Sequence, residues 1–150
     1  MLFRRFVVFQ AFLLWQGGFL FYAAVVVPVG TDVFGAASQG AVTQRVTWWL
    51  NVCGAAWAAV YLLDALPDGR RARLRLIVWA ASVLILAGLC VLHPVLGELF
   101  DADAQQVLDR RGFRRLHIAY LWLSTVHWLL GLALAWLTLA AWTRPVEERP

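Results

Sequence analysis

Four apolar stretches divide the chain, at residues 6–27, 44–63, 76–93 and 116–142. Each reaches the roughly 17–25 residues that an α-helix needs to cross a hydrocarbon core of about 30 Å. The breaks between them carry turn chemistry. Pro28 and Gly30 are expected to end the first helix, and a glycine-dotted loop follows over 29–42. Leu66-Pro67-Asp68-Gly69-Arg70-Arg71 is a strong breaker between the second and third stretches. A proline disfavours helix in the residue before it, so the third helix is expected to stop at His93, ahead of Pro94. The segment 94–115 is the longest polar one. There Asp103 and Gln106 resemble a capping box and Gly112 a C-terminal stop, which predicts a short interfacial helix near 104–111. Arg144-Pro145 closes the fourth stretch.

Polar and small residues recur inside the apolar stretches at helical spacing. In the second, Thr47, Asn51, Gly54, Ala58 and Tyr61 alternate steps of four and three. In the fourth, His117, Tyr120, Ser124, His127 and Gly131 alternate three and four. At about 100° per residue the latter occupy a stripe about 80° wide. Ionisable groups are costly in hydrocarbon, so that stripe should face the bundle interior. In the first stretch Gln10, Gln16, Gly17 and Gly18 supply hydrogen bonding and close approach. The pattern predicts an all-α, integral membrane four-helix bundle forming a single domain over 1–150, with Gln16, Asn51, Tyr120, Ser124 and His127 as its polar seam.

Composition agrees. The chain is 62% hydrophobic and 15% charged, against roughly 45–50% and about 25% for a soluble domain, and its mean hydropathy is +0.70. The first apolar run is longer than the roughly 7–15 residues of a signal-peptide core, so it reads as a retained span. All thirteen basic residues are arginine. They cluster beside the spans, where they meet lipid headgroups and set orientation; the net charge of +4 does not point to nucleic acid. Eight arginines fall on the side of the termini and five on the other, which predicts both termini in the cytoplasm, in a bacterial inner membrane. The expected partners are the lipid bilayer and other membrane subunits or further copies of the chain. Cys53 and Cys90 read as buried small hydrophobes rather than a disulfide or metal pair.

The histidines admit several chemistries. Each could satisfy one hydrogen bond and help lock the bundle. His93 and His117, at matching depth on neighbouring spans, could be the axial ligands of a haem b. The same two with Glu98, Asp101 or Asp103 form a donor set suited to zinc or copper(II). His127 lies about 15 Å deeper than His117, suited to proton relay or contact with a small substrate. Asp64 and Asp68 flank the basic turn and should pair with it or face water. The chain has no nucleotide-binding loop, HExxH or GxSxG. A non-catalytic protein that binds or passes a small ligand, or serves as a subunit of a larger membrane complex, is the leading expectation. A haem-binding electron-transfer protein and a copper or other metal transport or resistance factor are the alternatives.

Phe113, Leu116 and His117 form an F-x-x-L-H opening to the last span, and Gly17 and Gly18 lie in the first. With four spans, these features resemble the TMEM205-like (DUF4149) membrane family. The layout is also similar to copper-resistance D-type and HemJ-type proteins, some of which handle copper or haem. The resemblance implies His117 as a motif residue and names no substrate.

Overall fold

The computed structural model describes residues 2–65, 69–101 and 106–143, with 69–72 as backbone only. Four helices are long and apolar enough to cross a membrane: Leu2–Phe34, Ala36–Ala65, Arg73–Glu98 and Arg110–Trp142. The all-α bundle expected from the hydropathy is therefore present, but every helix outruns its apolar core.

The first rod is built from α1 (Leu2–Phe21), a π turn (Tyr22–Val26) and α2 (Val27–Phe34). Pro28 and Gly30 do not end it. In the π turn the Val27 N–H reaches back five residues to the Tyr22 carbonyl. Pro28 then falls in the first turn of α2, where a missing N–H costs little. Gly30 is a close-approach residue instead, because a Cβ there would run into the Gln39 side-chain amide. The rod ends at Gly35, whose φ of +84° suits a residue without Cβ. The Gly35 N–H still bonds the Thr31 carbonyl at 3.0 Å.

Helix α3 (Ala36–Ala65) begins at once, so the expected loop over 29–42 is helical on both sides of Gly35, and Gln44 lies two turns inside the helix rather than at its start. Helix α4 (Gly69–Glu98) carries Pro94 inside it and does not stop at His93. Within a span, neighbouring groups can take over the hydrogen bond that a proline frees, so a proline is a weaker stop there than in water. The predicted interfacial helix near 104–111 is absent where it can be judged. Gln106–Val107 (β2) pairs antiparallel with Phe100–Asp101 (β1), with Phe100 opposite Val107 and Asp101 opposite Gln106. Arg110 and Arg111 already belong to α5 (Arg110–Trp142), and Asp109 caps it by accepting the Arg111 N–H at 3.0 Å. Gly112 sits in the first turn of α5, not at a helix end. Asp68, Asp103, Ala104 and Arg144-Pro145 lie outside the described residues.

The helices pack in chain order. α1 lies against α3, α3 against α4 and α4 most extensively against α5, while α1 and α5 touch only sparingly. The burial pattern is inverted relative to a soluble bundle. Leu14, Leu84, Trp122 and Trp136 are about seven-tenths exposed on the outside. Gln16, Asn51, Asp64, Arg75, Ser82, Ser124, His127 and Thr138 are inside. Lipid tails reward no apolar burial between helices, so small residues and hydrogen bonds hold the interior together. Cys53 and Cys90 are both free, Cys53 half-buried and Cys90 exposed, so neither is the fully buried hydrophobe expected. Cys90 turns outward because the inward face of α4 is taken by Leu86 and Leu89.

Candidate functional site

Four groups of polar side chains are distributed along the bundle axis. The first lies at the end that carries the termini. Asp64, 1% exposed, accepts from Arg75 Nη2 at 2.9 Å and from Arg4 Nε at 3.1 Å. Trp142 Nε1 donates to the same carboxylate at 3.1 Å. Arg75, 2% exposed, also donates through Nε to the Tyr61 hydroxyl at 3.0 Å, and Thr138 donates to that hydroxyl at 3.2 Å. One carboxylate and one phenol thus join α1, α3, α4 and α5. Asp64 does pair with the basic segment after the second span, and it is buried in doing so. Arg4, Asp64 and Arg75 were not singled out from the sequence as one unit. A lone acid closing an apolar run, with an arginine beginning the next, was the available signal.

The second group sits near the middle of the bundle. Trp15 stacks on Trp57 with ring centroids 4.8 Å apart and meets the His127 ring at 4.6 Å. Two glycines make room for it. A Cβ on Gly54 would lie 3.0 Å from Trp15 Nε1 and 3.3 Å from His127 Cε1. A Cβ on Gly131 would lie 2.6 Å from the Trp15 ring and 2.8 Å from Gln16 Oε1. Gln16 donates through Nε2 to the Trp128 carbonyl at 3.0 Å. Its Oε1, and Nε2 of His127, are buried and meet no hydrogen-bond partner among the described residues. His127 and Gly131 are one turn apart on the same face of α5, and both the His127 ring and the Gln16 amide lie next to Trp15 or the glycines that make room for it.

The third group is Asn51, whose Nδ2 donates to the Tyr120 hydroxyl at 3.2 Å, with Ser124 buried one turn along α5. The fourth lies toward the far end. The Tyr22 hydroxyl donates to Thr43 at 2.8 Å, and Gln39 Nε2 donates to Tyr22 at 3.3 Å. This is where the π turn is tied to α3.

Among the described residues, the histidines and acids expected to hold a cofactor are not grouped. His93 turns toward α3, with Nε2 2.7 Å from the Gln44 carbonyl and its ring 5.9 Å from that of Trp48. A carbonyl only accepts, so Nε2 carries the proton and its lone pair is unavailable to a metal. His117 is half-buried and stacks on Phe113 at 5.6 Å with the rings 10° from parallel. Glu98 is exposed at the end of α4, Asp101 lies in β1, and Asp103 is outside the described residues. Among the described residues no three His, Cys, Asp or Glu side chains are grouped so that they could hold a metal ion. His93 and His117, as placed, do not fit bis-histidine haem ligation through Nε2.

Comparison of the chain with protein-family models, curated proteins and solved structures gives no match.

Proposed function

We propose that the chain is a non-catalytic protein of a bacterial inner membrane, with both termini in the cytoplasm, that binds a small hydrogen-bonding ligand inside its bundle. The site is the region around Trp15 bounded by His127 Nε2 and Gln16 Oε1, and the ligand is of the size of water. One observation carries this reading. Four side chains more than nine-tenths buried hold a polar atom with no partner among the described residues; Gln16, Trp57 and His127 gather around Trp15, and Ser82 lies on α4. Leaving such atoms unpaired in a low-dielectric interior costs about 1–3 kcal/mol each, a cost that a small bound donor or acceptor would remove. Elsewhere in the seam Asn51, Gln39, Asp64 and Arg75 have taken protein partners.

The orientation rests on the arginine balance, and the distant likeness to the TMEM205-like family rests on Phe113, Leu116 and His117. Neither adds a substrate. Radiolytic hydroxyl labelling tests the ligand, because it marks side chains next to bound water. Trp15 should be labelled in the folded bundle although it is 2% exposed. A His127→Leu variant, which leaves the Gln16 bond to Trp128 in place, should lower that labelling in a protein that still unfolds cooperatively. An unlabelled Trp15 in the native protein would sink the reading.

A further inference from the structure

The sparing contact between α1 and α5 leaves a shallow apolar groove on the outside of the bundle, and we propose that it holds an anionic phospholipid. The headgroup phosphate would lie on Arg5 and one acyl chain along the groove. Val8, Phe9 and Phe12 of α1 form one wall, and Ala135, Leu139 and Trp142 of α5 form the other. Its depth takes only about 20 Å³. That is close to one water-sized sphere, so a chain can lie along the groove but a compact ligand cannot enter it. Its lining is apolar, as an acyl chain requires.

Arg5 supplies the charge at the end of the groove. It precedes Val8 and Phe9 by three and four residues, which puts it on the same face of α1, one turn nearer the terminus. Its guanidinium lies over the Trp142 ring at 5.3 Å, spanning from α1 to α5 above the groove. The neighbouring Arg4 is committed to Asp64. Arg5 Nε, by contrast, is buried and meets no hydrogen-bond partner among the described residues. The guanidinium is held in place by an aromatic face, and its two terminal nitrogens, rather than the buried Nε, are what it offers an acceptor with more than one oxygen, which a phosphate is. From Arg5 to Phe12 is about 10 Å of helix rise, the span from a headgroup into the upper acyl chain. Hydrocarbon on Val8, Phe9 and Phe12 selects a lipid over a free anion, and the Arg5 cation favours a headgroup whose phosphate charge no ammonium balances over a zwitterionic one.

Native mass spectrometry of the full chain released from detergent, with equimolar phosphatidylglycerol and phosphatidylcholine of identical chains, tests this. The wild type should retain phosphatidylglycerol preferentially, by about fivefold for one arginine near the membrane surface. Arg5→Gln should abolish the preference. Ala135→Phe, which fills the groove and leaves Arg5 intact, should reduce retention of both lipids. Equal retention of the two lipids by the wild type, or an undiminished preference in Arg5→Gln, would overturn the proposal. Undiminished retention in Ala135→Phe, or displacement of the bound lipid by millimolar inorganic phosphate, would overturn the groove's part in it.

Discussion

Asp64 shows how much a single side chain can organise here. It is 1% exposed and faces one arginine that is fully buried and another whose side chain is 40% exposed. Removing one member of a buried pair strands the other, which costs about 3–5 kcal/mol. Asp64→Asn should therefore lower the unfolding free energy in detergent by about that amount. Arg4→Gln should cost about 1 kcal/mol or less, because water already screens that contact. Equal stability of Asp64→Asn and the parent would show that the carboxylate is not the junction. Gly131 acts by absence. A leucine there must displace the Trp15 ring and the Gln16 amide together, and neither can retreat without breaking the stack on Trp57 or the bond to Trp128. Gly131→Leu should fail to give a monodisperse protein, whereas Gly17→Leu should be tolerated, since nothing lies within 4 Å of a Cβ there.

At the scale of the element, the informative positions are those where the chain runs on through an expected stop. Hydropathy ends where the hydrocarbon ends, but a helix ends only where its backbone can no longer be continued. Pro28 is absorbed by the π turn before it, and Pro94 lies inside α4. Only Gly35, at φ +84°, breaks the path between α2 and α3. Gly35→Ala should cost about 1–3 kcal/mol, the penalty for holding an ordinary residue in a backbone region that is essentially glycine-only, and should lower the melting temperature. Pro28→Ala should leave the melting temperature close to the parent's, because the helix already passes through that position. The interfacial helix failed for a similar reason. Asp103 and Gln106 have capping-box spacing, but Gln106 is taken by the pairing with Asp101, and Asp109 does the capping. Spacing alone could not choose between the two acids.

For the whole molecule, Arg5 over Trp142 and Arg4 on Asp64 bring the start of α1 and the ends of α3 and α5 to one side of the bundle. A reporter fused to the C-terminus should be active in its cytoplasmic form and inactive in its periplasmic form, as the arginine balance requires. The opposite result would invert the proposed orientation and move the Arg5 groove to the other leaflet. The purified protein should be colourless. A Soret band that disappears in His93→Ala would restore the haem reading, and would require His93 to leave the Gln44 carbonyl.

The sequence by itself determined the class of object, the number of apolar helices and which residues share a face of each. Those follow from hydrophobic length and from a period of about 3.6 residues, both local properties of the chain. His127, Ser124 and Tyr120 share one face of α5 because three- and four-residue steps put them there, and all three are buried. Tertiary structure alone decided which polar groups find each other. Asp64 and Trp142 are 78 residues apart, and Asn51 and Tyr120 are 69 apart. Equal depth in the membrane suggested that His93 and His117 could meet, but depth fixes only one coordinate. The rotation of each helix about its axis fixes the others. That rotation gave His93 to Gln44 and Trp48 and left His127 beside Trp15 with one nitrogen unclaimed, while His117 stacks on Phe113 one turn back along its own helix.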